Sequence, residues 1–364
     1  MSRQGFALLI CVLILFAMGL SMVFNTTAAE VLDRALPRST HHALIKQLLY
    51  ALLGVLGAIV VWFVGYEQLL RLSGPLLIMG STFLVLVFVP GIGQNINGAH
   101  RWIGIGGYSL QPSEFVKYLI PMYYIHKITT MAQPILLKDL LKLLGQIAIP
   151  LGLIWIEPDN GTAVIIIASL VVLFFLTKIR WVYWGLPILI MTGVGALAAS
   201  QMPHVQNRIQ IFLHPELDLQ GKGHQPHQAK IAAGSGGFWG KGLAESMQKL
   251  NYLPEARSDY IAAIFAEEFG FVGISLLILI YMFIGYLGFS IAGKADNTRA
   301  FYLAAILTFL ICFQAFLNLG VVSGLLPSKG TNLPFFSQGG SNLLANFIMV
   351  CILLNISEPK TANA

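Results

Sequence analysis

Ten apolar segments, each about as long as a membrane-spanning helix, follow one another along the sequence. A helix needs about 20 residues to cross the hydrocarbon core of a bilayer. Because lipid offers the backbone no hydrogen-bond partners, such segments form helices, and the alternating pattern of barrel strands is absent here. We therefore predict an all-α, polytopic membrane protein with helices near 5–25, 44–66, 69–90, 113–131, 139–156, 160–177, 181–200, 260–291, 299–325 and 339–356.

The scarcity of charge supports a lipid environment. Only 10% of the 364 residues are charged and 56% are hydrophobic, whereas about a quarter of a soluble domain is charged. The net charge of +6 comes from Lys and Arg residues scattered singly between apolar runs, which argues against a nucleic-acid partner. Cys11, Cys312 and Cys351 lie inside apolar segments, so they predict neither a disulfide framework nor a metal site.

The basic residues predict how the chain is oriented. An even number of spans places both termini on one side, and the short loops on that side carry most of the Lys and Arg. Positive charge accumulates in cytoplasmic loops. We therefore predict cytoplasmic termini, a single transmembrane domain covering 1–364, and a large extracytoplasmic loop at 201–258 between the seventh and eighth helices.

Two charged residues occur where a spanning helix begins. Glu114 and Lys117 are three positions apart and so share a helix face. Charges in this position are costly unless they pair or face a wet cavity. An internal ion pair that locks the bundle and a direct contact with substrate both remain open.

A second candidate pair lies in the Gly-rich outer loop 91–112. The guanidinium of Arg101 suits a phosphate because its planar fork presents several donors. Next to it, Trp102 is typical of the aromatic belt at a membrane interface. From these two residues alone, an interfacial anchor is the favoured interpretation.

Asp259 lies at the junction between the long loop and an apolar helix. Its simplest role is to cap that helix. Alternatively, it is a carboxylate at the mouth of an outward cavity, where the helix N-terminus would favour the ionised form that a general base needs. Glu267 and Glu268 follow about two turns deeper, and we expect at least one of them to be paired in the bundle interior.

The connection 324–341 between the last two helices is rich in Pro and Gly. Such residues at membrane depth mark broken helices that line cavities. We therefore predict a re-entrant segment, rather than a surface turn, with Pro327, Pro334, Gly339 and Gly340 shaping a cavity. The Gly-rich stretch 234–242 lacks the spacing of a P-loop, and the nearby histidines lack a third metal ligand.

These segments, in this order, resemble the SEDS family (shape, elongation, division and sporulation) of cell-wall glycosyltransferases. The stretch 326–330 is closer to the FtsW branch than to the RodA branch. Some positions depart from the family pattern, among them Glu157 and Gln338, where Gln and Tyr are usual. The resemblance spans nearly the whole chain and rests on residues 97–103, 111–117, 158–162, 233–242, 253–259, 267–270 and 326–341.

The resemblance implies an activity. The substrate would be lipid II, a disaccharide-peptide on undecaprenyl pyrophosphate, joined into glycan strands during cell division. Inversion at the anomeric carbon needs a base rather than a covalent nucleophile, and Asp259 is the candidate. Glu114 would orient Lys117, and Asp159, Glu267 and Glu268 would support the cavity. The candidate substrate-binding residues are Arg101, Trp102, Glu114, Lys117, Lys241, Lys329 and Ser341.

The resemblance also implies partners and a location. These are undecaprenyl-linked glycan, a class B penicillin-binding protein acting as transpeptidase, other divisome proteins and the lipids of the bacterial inner membrane. The resemblance establishes no cofactor, and a divalent cation, Mg²⁺ or Mn²⁺, could assist the leaving pyrophosphate. The alternatives are a lipid II flippase and a non-enzymatic division scaffold. An acid at the outer interface, where Asp259 lies, favours the enzyme over a transporter, whose coupling site lies near the midplane.

Overall fold

The computed structural model describes residues 1–33, 39–96, 99–105, 107–131, 135–200, 210, 212–218, 221, 223–250, 253, 255–328 and 330–358. Helices dominate this part of the chain. They are α1 (Arg3–Asp33), α2 (His42–Val64), α3 (Tyr66–Leu86), α4 (Ser113–Thr130), α5 (Leu137–Ile156), α6 (Asn160–Leu176), α7 (Trp181–Ser200), α8 (His224–Ser235), α9 (Ile261–Gly293), α10 (Thr298–Val322) and α11 (Gly340–Ser357).

Every segment predicted to span the membrane coincides with one of these helices, and α8 lies within the long loop. Seven of the described helices are long and apolar enough to cross a bilayer by themselves. Among the others, α4 carries Glu114 and Lys117, and both side chains are buried in the protein. The predicted all-α, polytopic membrane architecture is thus confirmed.

Both ends of the described chain lie at the same face of the bundle. The amino group of Met1 is 3.6 Å from Glu358 Oε1, and Gln4 Nε2 donates a 2.5 Å hydrogen bond to Ser290 Oγ near the end of α9. This agrees with an even number of spans. That this face is cytoplasmic stays a prediction from the distribution of Lys and Arg.

The centre of the bundle is formed by α10 and α11. In their most apolar stretches 61% and 72% of residues are buried, whereas the value for α2 is 22%, so α2 exposes most of its surface to lipid. Small residues allow close packing of helices in membranes. At Gly288 of α9, for example, an added Cβ would lie 2.2 Å from Thr308 Oγ1 of α10.

The segment 91–112, expected to be a loop, contains a small antiparallel sheet. Its strands are β1 (Gly93–Ile96), β2 (Ala99–Ile105) and β3 (Tyr108–Leu110), in the order β1-β2-β3. Gln94 pairs with Trp102 and Ile103 pairs with Leu110. Strands this short carry too little alternation to stand out in a sequence. Because Arg101 and Trp102 lie in β2, the sheet fixes the backbone from which their side chains project.

Helix α9 is interrupted at Gly270, where φ is 64° and ψ is −162°. The Gly-rich stretch from the long loop covers this break. The backbone N–H groups of Lys241 and Gly242 each donate a 3.0 Å hydrogen bond, to the carbonyls of Glu267 and Glu268. In lipid an unpaired carbonyl is costly, so this contact satisfies groups that the break would otherwise leave open.

The connection between α10 and α11 returns into the bundle, as predicted, instead of turning at the surface. Leu333, Phe335 and Phe336 are at most 1% exposed. Gln338 N donates to the carbonyl of Arg257 over 2.9 Å, and Ser337 Oγ donates to the carbonyl of Ser258 over 2.6 Å. These bonds hold the re-entrant segment (331–338) against the chain that precedes Asp259.

We expect Gly270→Ala to lower the free energy of unfolding by about 1–3 kcal/mol, because this backbone conformation is essentially restricted to glycine. In addition, the new Cβ would lie 2.3 Å from Gly240 N. Thermal unfolding in detergent measures the change. Gly145→Ala is the matched control, since its Cβ meets nothing within 4 Å. Equal melting temperatures for both variants would contradict the account.

Candidate active site

A polar cavity of about 690 Å³ opens at the end of the bundle opposite the termini. It lies between the sheet, the re-entrant segment, the chain preceding α9, and the ends of α2, α4, α6, α10 and α11. Most of the predicted site residues meet here. Its lining includes Arg101, Trp102, Glu114, Lys117, Asp159, Asp259, Gly339, Gly340 and Ser341.

Asp259 presents its carboxylate to this cavity. Its backbone is fixed, because Asn318 Nδ2 donates to the carbonyl of Asp259 over 2.8 Å and to that of Thr331 over 2.6 Å. Its side chain accepts no hydrogen bond from the residues that the structure describes. Tyr260, and not Asp259, occupies the N-cap position of α9, and no side-chain hydrogen bond from the described residues caps that helix. The capping interpretation of Asp259 was therefore wrong.

The pKa of Asp259 is raised to about 7, chiefly by burial. The neighbouring carboxylate of Glu255 contributes to this rise, and the Arg101 guanidinium opposes it. The net shift is opposite to the one expected from the helix N-terminus alone, because desolvation of the carboxylate dominates. A carboxyl group with a pKa near neutral is well matched to proton transfer at physiological pH.

Arg101 reaches from β2 to the turn between α5 and α6. Its Nε donates to the carbonyl of Glu157 over 3.1 Å, and Nη2 donates to the carbonyl of Pro158 over 2.8 Å. Nη1 lies 4.0 Å from Asp159 Oδ1. A guanidinium carries five N–H donors, so donors remain for a ligand in the cavity.

Asp159 organises the same turn. Its Oδ2 accepts hydrogen bonds of 3.0 Å from Gln111 Nε2 and 2.8 Å from Ser113 Oγ. Its Oδ1 accepts a hydrogen bond of 3.3 Å from the backbone N–H of Thr162, and Asp159 thereby caps α6. Asp159 thus ties the starts of α4 and α6 together behind Arg101.

Glu114 and Lys117 form a buried ion pair that also faces the cavity. Lys117 Nζ lies 2.5 Å from Glu114 Oε2 and 2.8 Å from Gln314 Oε1. Asn342 Nδ2 donates to the same Glu114 oxygen over 2.8 Å. Since an ammonium has three N–H donors, one donor of Lys117 stays available. The geometry therefore suits both interpretations of this pair, as a lock between helices and as a substrate contact.

The remaining predicted residues lie elsewhere. Lys241 is outside the cavity and pairs with Glu267 over 2.6 Å, which corrects its predicted contact with substrate. Glu268 pairs with Lys249 over 2.8 Å, so both glutamates are buried in ion pairs. In the last connection Pro334 is buried and Pro327 is exposed, neither of them in the cavity lining. Lys329 lies outside the described residues.

Several lining residues were missed in the sequence. Gln314 and Asn342 are amides within apolar helices, and polar residues at membrane depth are a usable signal. Arg257 also lines the cavity and pairs with Glu30 of α1 over 2.9 Å. Behind the cavity, Glu157 is fully buried, and nothing in the sequence pattern distinguishes it from an exposed acid.

The sequence matches the family model described as "Cell cycle protein", which takes in FtsW, RodA and SpoVE, over residues 6–362. The chain belongs to this family. It is 37% identical to the probable peptidoglycan glycosyltransferase FtsW of Trichlorobacter lovleyi, with 98% of this chain and 94% of the relative covered. It is 35% identical to stage V sporulation protein E of Bacillus subtilis, with 96% of each chain covered. The FtsW-like assignment within the SEDS family is thus confirmed.

Solved structures share the fold. A chain of a peptidoglycan synthase complex that coordinates polymerization and crosslinking superposes with a TM-score of 0.76, at 24% identity and over 97% of each chain. The rod shape determining protein RodA of Thermus thermophilus gives a TM-score of 0.68 at 24% identity, over 97% of this chain and 96% of that one. The arrangement of helices around the cavity is therefore that of the SEDS fold.

We expect Lys117→Met to lower the free energy of unfolding by about 3–5 kcal/mol, because it leaves Glu114 buried without its cation. The double variant Glu114→Gln, Lys117→Met should recover most of the loss, since no buried charge then remains. Thermal unfolding of the purified variants in detergent compares them. A single variant as stable as the unaltered protein would show that the pair does not hold the bundle.

Proposed function

We propose that this protein is a peptidoglycan glycosyltransferase that polymerises lipid II into glycan strands during cell division. The observation that carries the proposal is the polar cavity, in which the carboxylate of Asp259 lies with two cations, Arg101 and Lys117. The names of the curated FtsW relatives support the same reaction class. A carboxylate base and cations for a pyrophosphate are the groups that this transfer requires.

Asp259 acts as the general base. The acceptor sugar hydroxyl attacks the anomeric carbon of the donor and loses its proton to the carboxylate. As the new glycosidic bond forms, the bond to the lipid pyrophosphate breaks, and undecaprenyl pyrophosphate leaves with the electron pair. Because the donor is α-linked and the product β-linked, one inverting displacement completes the transfer.

Arg101 and Lys117 stabilise the leaving pyrophosphate. Charge grows on the bridging oxygen in the transition state, and donors held in place before the reaction lower its energy. Each of these cations is anchored by protein acceptors and keeps at least one donor for the ligand. A Mg²⁺ or Mn²⁺ ion bound by pyrophosphate oxygens would add to this effect. The described residues contain no cluster of three or more His, Cys, Asp or Glu side chains for a metal.

An apolar groove beside the cavity suits the polyprenyl chain. It has a volume of about 340 Å³ and lies between α2, α3, α4 and α11. The end of the groove nearest the polar cavity is formed by Leu110 and Pro112, which flank the cavity residue Gln111. A lipid with its pyrophosphate at Arg101 could therefore place the start of its chain in this groove and the rest in the bilayer.

We place the protein in the bacterial inner membrane with a class B penicillin-binding protein as transpeptidase partner, among other divisome proteins. A solved structure of the same fold belongs to a complex that coordinates polymerization and crosslinking, which supports such a pairing. A lipid II flippase would need its coupling acid near the midplane, whereas Asp259 precedes α9. A pure scaffold would leave the cavity and its buried charges without a purpose.

We expect Asp259→Asn to reduce strand synthesis by at least about 10²-fold, the usual share of a general base. The test is gel-resolved polymerisation of labelled lipid II by purified protein in detergent, with its transpeptidase partner. Transport cannot produce strands in that setting. Asp296→Asn, an exposed acid in the loop before α10, should retain activity. A fully active Asp259→Asn variant would remove Asp259 from the mechanism.

The pH dependence of turnover gives a second test. Because the base works ionised, kcat/KM should rise as the pH increases through about 7, the pKa of Asp259 in the protein without substrate. The charge of Glu255 raises that pKa, so Glu255→Gln should move the rising limb to lower pH. Initial rates between pH 5.5 and 8, at lipid II concentrations well below KM, would reveal the shift. A rising limb that stays in place would separate Glu255 from the titration of the base.

A further inference from the structure

Glu157, at the end of α5, is a fully buried acid. Its exposed fraction is 0%, and neither Oε1 nor Oε2 has a hydrogen-bond partner among the described residues. Burying an unpaired charge is far more costly than burying a neutral carboxylic acid. Two positions later, Asp159 is held by two side-chain donors. The same turn therefore contains one carboxylate that is stabilised as an anion and one that is not.

This turn holds Arg101. The guanidinium is hydrogen-bonded to the carbonyls of Glu157 and Pro158 and lies 4.0 Å from Asp159 Oδ1. When Glu157 is neutral, the charges of Arg101 and Asp159 cancel. When Glu157 is ionised, the cluster carries one net negative charge. That charge draws Arg101 into the turn and repels an anionic ligand in the cavity.

We propose that Glu157 is a positioning residue whose neutral form leaves Arg101 available to the pyrophosphate of the substrate and whose ionised form withdraws it. This inference rests on the proposed function of the cavity. It assigns to Glu157 a control over binding of the lipid-linked pyrophosphate. Glu157 does not touch the reacting atoms, since it is not part of the cavity lining.

The surroundings of Glu157 set the pH range of this control. Its pKa is raised to about 8, chiefly by burial and in part by the charge of Asp159, while Arg101 from β2 opposes the rise. The acid is therefore neutral at pH 7 and ionises as the pH rises above about 8. Asp259 has the opposite effect on the reaction, because its ionisation through about pH 7 activates the base. Activity should pass through a maximum between these two transitions.

The test compares the unaltered protein with Glu157→Gln, whose amide stays neutral at every pH. Steady-state kcat and KM for lipid II are measured from pH 6 to 9.5, with the transpeptidase partner present. In the unaltered protein KM should rise by up to about tenfold per pH unit above 8, the limit for a single ionisation. In Glu157→Gln, KM should stay constant, while the rising limb of kcat/KM is retained. Glu245→Gln, an exposed acid of the long loop, should behave like the unaltered protein.

A KM that rises in Glu157→Gln as it does in the unaltered protein would overturn the proposal. So would a folded Glu157→Gln variant that has lost activity at pH 7, where both side chains are neutral. Glu157→Asp keeps a titrating acid and should keep the alkaline rise in KM, which a purely structural role would not predict.

Binding of undecaprenyl pyrophosphate provides a readout without turnover. Its Kd for the purified protein should weaken above pH 8 in the unaltered protein and stay constant in Glu157→Gln. If the protein makes no strands from lipid II and this pattern of binding still holds, the glycosyltransferase assignment fails and the role of Glu157 stands. If strands form and the two proteins bind undecaprenyl pyrophosphate alike at every pH, the role of Glu157 fails alone.

Discussion

Backbone hydrogen bonding within the membrane is the constraint on which this structure depends. A helix that breaks in lipid exposes carbonyl and N–H groups that no water can satisfy. The chain breaks α9 at Gly270 and leaves helical conformation again in the re-entrant segment. In each place another part of the protein supplies the missing partners. Around the second place, Asn318 bridges the carbonyls of Asp259 and Thr331, so one amide fixes the position of Asp259 relative to the re-entrant segment.

The buried charges of the site are likewise satisfied by other parts of the protein. Glu114, Asp159, Glu267 and Glu268 all have donors within 3 Å, and as ions they stabilise the fold. Among the buried and cavity-lining acids that the structure describes, Asp259 and Glu157 lack such donors, and burial raises the pKa of each. The charge of Arg101 lowers the pKa of both acids, so these two groups share one neighbouring cation.

Most of the helical architecture could be predicted from the sequence, because runs of apolar residues report directly on lipid. The meeting of Asp259, Arg101 and Lys117 was also accessible, through the order of the motifs. What could not be predicted depends on tertiary contact. The sheet around Arg101 has strands too short to show a pattern. Lys241 was assigned to the substrate because the docking of its segment onto α9 leaves no trace in the sequence. The direction in which the pKa of Asp259 is shifted depends on burial, which is known only from the fold.

The docking of the Gly-rich segment onto α9 also determines how this part of the long loop can move. Lys241 and Gly242 donate main-chain hydrogen bonds to α9, and the side chains of Lys241 and Lys249 are paired with Glu267 and Glu268. Detaching this part of the loop from α9 would break both ion pairs and leave the carbonyls of Glu267 and Glu268 without these donors. We therefore expect this part of the loop to move together with α9, and not to open and close as a lid. A protein that pushes on this part of the loop would move α9 with it, and with α9 the chain that carries Asp259.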